Sequence, residues 1–373
     1  MLRTIRNLIV NIMAACIRDR DARHKFRNKY KIRSKFRKLR DDNRRLFNEN
    51  RRLFNENKKL FLENKTIISK LSNIENTVVE TKKVYRGWPS IVKKIDDLSI
   101  ISSENLNPVY LSIACIAKNE GSYLKEWIEY HKIVGVDRFY FYDNESEDNT
   151  REILEPYISD GTVIYHYVEG SVKQLPVYHD AVLRYANQSY WIALIDLDEF
   201  IVPKEKESVA DFLKDYERYP GVVVNWVLFD SNGHITKPTK YGGLVTANYT
   251  RVRDGYDKWY GTRTIKSIVH PNCVVRFYNP HQAIYKGGAN PVAENFEPVF
   301  GPGKAYCSVD KIQLNHYHCK SKEEYIKKLD RGRSDIMTKN VFNEKALNYE
   351  KTTTDYTIQK YLPKLKTALG IVD

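Results

Sequence analysis

The chain is poor in cysteine and has no long apolar run, and outside its first 40 residues it carries almost no excess charge. Its five cysteines, Cys16, Cys115, Cys273, Cys307 and Cys319, are odd in number and scattered, with no Cys-x-x-Cys pair. That pattern argues against a disulfide framework or a closed zinc site and predicts free thiols in a reducing compartment. The apolar run Leu8–Ile17 is ten residues long and is interrupted by Asn11. A bilayer span takes about 20 apolar residues, so neither a membrane helix nor a secretory leader is read here. Of the net charge of +14, residues 1–40 hold +12, from 14 Lys and Arg against 2 Asp and Glu. The rest is near neutral, so whatever the charge does, the N-terminal arm does it. A hydrophobic content of 42% over 373 residues leaves room for one large domain with extensions.

The arm joins its charge to an apolar stripe. Leu2, Ile5, Leu8, Ile9, Ile12 and Cys16 share one helical face, flanked by Arg3 and Arg6. Such a helix suits an anionic membrane surface, and the stripe has no use on nucleic acid phosphates. Residues 1–40 are therefore expected to be a membrane-binding arm without nucleic acid as partner. A seven-residue repeat follows: Arg44-Arg-Leu-Phe-Asn-Glu-Asn50 recurs at 51–57 and, varied, at 58–64. Ile32, Leu39, Leu46, Leu53, Leu60, Ile67 and Ile74 form an unbroken d column, with Asn50, Asn57 and Asn64 at a. This predicts a parallel coiled coil that makes a homo-oligomer, centred on residues 41–80. Gly87-Trp88-Pro89 and Asn105-Leu-Asn-Pro108 bracket a linker at 81–107.

From residue 108 the pattern changes. Apolar strands at 111–117, 138–142, 162–167 and 191–196 alternate with helical spacings at 122–134, 148–158 and 175–188, followed by a helix at 207–217 and a strand at 221–228. This alternation predicts an α/β domain over 108–333 with a mostly parallel sheet covered on both faces. A C-terminal helical extension is expected at 334–373. The run Trp191-Ile-Ala-Leu-Ile-Asp196-Leu-Asp198-Glu199-Phe-Ile201 reads as a core strand whose exit carries two carboxylates. In an extended segment they lie on one side, as a divalent cation that also grips phosphate requires.

Several segments resemble glycosyltransferase family 92, whose fold is the Rossmann-like GT-A type: Cys115-Ile-Ala-Lys118-Asn119-Glu120, Glu126-Trp-Ile-Glu-Tyr-His131, Tyr142-Asp143-Asn144, Asp196-Leu-Asp198-Glu199-Phe-Ile201, Lys266-Ser-Ile-Val-His-Pro271 and Asn315-His316-Tyr-His318-Cys-Lys320-Ser321. The resemblance covers about residues 110–333. It implies an inverting, hexosyltransferase-like enzyme that moves a sugar from a nucleotide-sugar donor, UDP-linked, to a hydroxyl of a glycan or glycolipid. By the same resemblance Lys118, Asn119, Glu120 and Asp143 would bind the nucleotide. Asp196, Asp198 and His316 would hold Mn²⁺ or Mg²⁺, with His318 in reserve. Imidazole favours Mn²⁺. Lys266, Lys320 and the basic run of Lys322, Lys327, Lys328, Arg331 and Arg333 would neutralise the diphosphate. For the base that inversion needs, Asp230, His234 and Glu199 stay open. The expected setting is bacterial surface polysaccharide synthesis on the cytoplasmic face of the cell membrane. The rivals are a non-catalytic membrane-tethered scaffold on a GT-A fold, and a two-metal phosphate-ester hydrolase, which would want more clustered ligands.

Overall fold

The computed structural model describes residues 108–255, 264–301, 308–332 and 342–371, with residues 11, 20 and 22–25 of the arm. The heptads, the linker and most of the arm lie outside the described residues. The chain divides into two units, Met1–Lys82 and Lys83–Asp373, and the second carries the α/β domain. Among the described residues no helix is long and apolar enough to cross a membrane.

The elements run β1 (Val109–Ala117), α1 (Gly121–Ile133), β2 (Arg138–Asp143), α2 (Thr150–Ser159), β3 (Val163–Tyr167), α3 (Gln174–Arg184), β4 (Ser189–Leu194), β5 (Glu199–Pro203), α4 (Val209–Lys214), β6 (Gly221–Leu228), α5 (Val245–Asn248), β7 (Arg251–Arg253), β8 (Ile265–Val269), β9 (Val274–Asn279), β10 (Gln282–Tyr285), β11 (Ile312–His316), α6 (Lys322–Arg331), α7 (Glu344–Leu347), β12 (Thr352–Thr354) and α8 (Leu362–Leu369). Eight strands form one sheet in the order β3-β2-β1-β4-β8-β6-β11-β5. Neighbours pair parallel except at β8, which is antiparallel to β4 and β6, and at β5, which is antiparallel to β11.

Strict alternation along the central strands divides the core between the two faces of this sheet. Leu111, Ile113, Cys115, Phe139, Phe141, Trp191 and Ala193 join one buried cluster with Leu124, Trp127 and Ile128 of α1. Ala114, Ile116, Tyr140, Tyr142, Ile192 and Leu194 join the other with Val177, Tyr178 and Ala181 of α3. Gly135 ends the first crossover at φ +95°, in the left-handed region, with a Cβ position only 3.1 Å from that of Ala210.

Two expectations need correction. The strand read as 191–196 ends at Leu194, and a tight turn leads at once into β5, which the sequence reading did not separate. β5 is an edge strand, and α1 covers its free groups. Trp127 Nε1 donates to the Glu199 carbonyl at 2.8 Å and Tyr130 OH to the Ile201 carbonyl at 2.9 Å, while His131 Nε2 accepts from Ile201 N at 3.3 Å. The segment after 333 is also more than a helical extension. β12 pairs with β7, and Ile358, Tyr361 and Leu365 belong to the main core.

Candidate active site

A cavity of about 450 Å³ opens where the carboxyl ends of β1, β2, β4 and β11 meet, the place where open α/β sheets take their ligands. One wall comes from the loops after β1 and β2, with Lys118, Glu120, Asn144 and Glu145; the adjoining wall comes from α6, with Tyr325, Lys328 and Arg331. The β4–β5 turn, Lys266, Trp226, His281, His316 and His318 close the remaining side.

Local sequence sets each wall. Ser321 and Glu324 form a capping box at the start of α6, and Tyr123 and Tyr249 also donate to Glu324. Lys328 and Arg331 follow Glu324 at i+4 and i+7, so the three share one helical face. Arg331 pairs with Glu120 at 2.6 Å and donates to the Lys118 carbonyl at 2.5 Å, tying α6 to the β1–α1 loop. Lys322 and Lys327 do not line the cavity, and Arg333 lies outside the described residues.

Asp196 and Asp198 sit in the turn, not on one side of an extended strand, and they have separate partners. The Asp196 carboxylate meets Lys266 Nζ at 2.9 Å and accepts from Gln174 Nε2 at 2.7 Å and Tyr178 OH at 3.3 Å. Asp198 meets Lys328 Nζ, and its Oδ2 lies 3.4 Å from His316 Nε2. Burial opposes the charge on Asp198, but Lys328 and His316 outweigh it and hold the carboxyl well below its usual range. Glu199 closes the turn: its Oε2 accepts from Asp196 N at 2.9 Å, and its own N–H donates to the Asp196 carbonyl at 3.0 Å. Burial pushes Glu199 well above the carboxylate range; Lys266, 3.8 Å away, opposes this, and Asp196 and Asp198 reinforce it. For Lys266 itself burial works against the charge, but Asp196 and Glu199 overcome that and raise its pKa.

Of the residues expected in the site, Lys118, Glu120, Asp196, Asp198, Lys266, His316, His318, Lys328 and Arg331 line the cavity. Asn119, Asp143, Lys320, Asp230, His234 and Glu199 do not. Asn119, at φ +53°, accepts from Glu147 N and bonds Ser146 Oγ through its own N–H, so it knits the two loops together. Asp143 accepts from Tyr165 OH at 2.7 Å and Ser146 N at 2.9 Å. Lys320 Nζ lies 3.9 Å from the centre of the Tyr123 ring and 3.7 Å from Glu120. Asp230 is fully buried away from the cavity, where it pairs with Arg251 Nε at 2.8 Å and accepts from Asn232 N and Tyr349 N. His234 packs edge-on against Tyr249, with Nε2 3.4 Å from the Asn248 carbonyl. The sequence reading missed Gln174, Trp226 and His281. The available signal for His281 was Pro280-His281 between two short strands, a turn of the kind that carries function.

Among the described residues no three His, Cys, Asp or Glu side chains converge as a metal site. Asp198 and His316 nevertheless offer one oxygen and one nitrogen donor side by side. His316 Nδ1 is buried without a hydrogen-bond partner, which leaves Nε2 as the nitrogen facing Asp198. This donor pair fits a divalent cation whose remaining positions are filled by phosphate and water. Asp196, held on both oxygens by protein groups, stands apart from it.

A mostly parallel α/β sheet with a polar cleft across its strand ends defines a ligand-binding α/β domain. The chain belongs to glycosyltransferase family 92, whose family model matches residues 108–367. Family 92 proteins of Ricinus communis and Arabidopsis thaliana are 36% identical over 109 residues and 28% identical over 190 residues, covering 29% and 49% of this chain. The matched segments span 20% and 33% of those relatives. Galactan beta-1,4-galactosyltransferase GALS2 of Arabidopsis thaliana is 25% identical over 135 residues, 32% of this chain and 26% of that protein. Among solved structures, S. aureus TarS 1–349 in complex with UDP is 14% identical with a TM-score of 0.31, over 44% of this chain and 48% of that one.

Proposed function

We propose that the domain is a GT-A-type inverting glycosyltransferase that moves a sugar from a UDP-linked donor to a hydroxyl of a glycan or glycolipid acceptor, as in surface polysaccharide synthesis. The observation that carries this reading is the placement of Lys118, Lys328 and Arg331 around the Asp198–His316 pair in one strand-end cavity of a family 92 domain. The three cations suit a diphosphate, with Arg331 held in place by its bonds to Glu120 and the Lys118 carbonyl. Glu120 and Asn144 lie at the β1–β2 end, where a ribose or a base would find acceptors and donors. Asp198 and His316 would hold Mn²⁺ or Mg²⁺, which when bound would supply Lewis-acid stabilisation of the departing diphosphate. Lys266 pairs with Asp196 and Glu199 and so fixes the β4–β5 turn.

The galactosyltransferase relative makes UDP-galactose the first donor to try. With Mn²⁺ present, UDP-galactose or another UDP-sugar should raise the melting temperature, since a ligand that binds only the folded state stabilises it by linkage. UDP should then be released on turnover. No shift with any nucleotide sugar would overturn the reading. That result would favour a non-catalytic scaffold, for which a different observation speaks: Lys266 and Lys328 already neutralise the two carboxylates without a metal.

A further inference from the structure

Resting on that transferase reading, we infer that His281 is the general base that takes the proton of the acceptor hydroxyl. The inference follows from the state of each titratable group around the cavity. Glu120 is bound by Arg331 and Lys320, and Glu145 lies beside Lys118 at the nucleotide end. Asp196 and Asp198 hold lysines. His316 faces Asp198, and His318 Nε2 sits 3.0 Å from the Cys319 thiol. Of the bases proposed from sequence, Asp230 is locked onto Arg251, and Asp230, His234 and Glu199 do not line the cavity.

His281 differs from all of these. It lies between β9 and β10, half-buried, with its ring edge-on to Trp226 at 5.2 Å, and it lines the cavity. Its Nδ1 is 3.0 Å from the Ile265 carbonyl. A carbonyl can only accept, so Nδ1 carries the hydrogen and Nε2 carries the lone pair. Among the described residues no group bonds Nε2. The charged and titratable groups facing the ring are Lys266 of β8, Asp196 of the β4–β5 turn and His316 of β11. Burial, and then the Lys266 charge, push the imidazole below its ordinary range against the pull of the Ile265 carbonyl and Asp196, and this favours the neutral ring. The Trp226 ring beside it offers an apolar face on which an acceptor sugar can rest.

In the step, the acceptor O–H bond breaks and its proton passes to His281 Nε2. The oxygen's electron pair forms the new bond to the anomeric carbon. The bond from that carbon to the diphosphate oxygen breaks, and its pair leaves with UDP. The imidazolium then returns its proton to water.

The test uses the full chain with Mn²⁺ and a panel of UDP-galactose, UDP-glucose and UDP-N-acetylglucosamine, measuring UDP release to water or a glycan together with UDP binding by calorimetry. His281→Gln and His281→Ala should lower kcat by about 10²–10⁴-fold while UDP affinity and melting temperature stay near wild type. Added imidazole should partly restore His281→Ala. A kcat within threefold of wild type, or a loss of UDP affinity that accounts for the whole effect, would overturn the assignment. Failure of the underlying reading looks different: the wild type itself then releases no UDP from any donor, and the base assignment falls with it.

Discussion

Acid should unfold this domain through two histidines that the fold buries as neutral rings. His131 is fully buried; its Nδ1 donates to the Trp127 carbonyl at 2.8 Å and its Nε2 accepts from Ile201 N, so both nitrogens are used and neither has room for a second proton. Burial lowers its pKa to about 3. His166 lies against Tyr142 at 4.6 Å, bonded to Tyr185 OH at 2.6 Å, and burial lowers it to about 4. A histidine whose folded pKa lies below its unfolded value of about 6.5 gives stability that is full above pH 6.5. That stability is lost as the pH falls from there towards the folded pKa. At pH 5, about 1.5 units below the unfolded value, each ring costs about 2 kcal/mol at about 1.4 kcal/mol per unit. The pair therefore accounts for about 4 kcal/mol, a large share of the 5–15 kcal/mol of a typical domain. Urea unfolding at pH 7 and pH 5 can be followed by the fluorescence of Trp127, whose ring is 4.7 Å from His131. His131→Gln cannot protonate, so it should lose about 2 kcal/mol less than wild type between the two pH values, whatever its stability at pH 7. Equal losses in wild type and variant would refute the reasoning.

Asp198→Ala should abolish transfer and the Mn²⁺-dependent part of UDP binding with the fold intact; full turnover by metal-stripped enzyme in EDTA would sink the proposed metal pair. Arg251→Met leaves the fully buried Asp230 without its cation, and breaking a buried pair costs about 3 kcal/mol or more. Its melting temperature should drop while the folded enzyme keeps its kcat, and a kcat loss without destabilisation would mean that Asp230 acts in the chemistry after all. For the arm, sedimentation with anionic vesicles should weaken as salt rises and vanish when residues 1–40 are deleted, because each Lys or Arg near such a surface contributes about 1 kcal/mol; equal binding to neutral vesicles contradicts this. Replacing Leu53 and Leu60 with Asp should turn an oligomer into a monomer by light scattering, and a monomeric wild type at micromolar concentration ends the coiled-coil proposal.

What could be read in the sequence was local. The first crossover, β1–α1–β2, lies within about two residues of its expected bounds. The reason is that Leu124, Trp127, Ile128 and His131 repeat at helical spacing between two strands that are apolar on both faces. β5 was missed because only four residues separate it from β4, and nothing in Phe200-Ile-Val-Pro203 marks a change of direction. The signal that fixes it lies 70 residues earlier, in the α1 side chains that satisfy its backbone. β7 and β12 are three residues each, and they exist as strands only through pairing across about 100 residues of chain.

The site was legible in the same measure. Spacing placed Asp196 and Asp198 at the exit of a strand, because residue type and periodicity are properties of short windows, and the resemblance to family 92 singled out His316. Which acid does what depends on cations far away in sequence: Lys266 for Asp196, Lys328 for Asp198 and Arg251 for Asp230. Those contacts divide the Asp-x-Asp pair into two jobs. Asp196, with both oxygens bound by Lys266, Gln174 and Tyr178, anchors the turn to β8 and α3. Asp198 is the one of the two that faces His316. Glu199 joins the two by closing the turn, and its own position depends on Trp127 of α1 holding its carbonyl. Placement of the one cavity carboxylate facing His316 thus runs back through β5 to an aromatic residue on the opposite side of the turn.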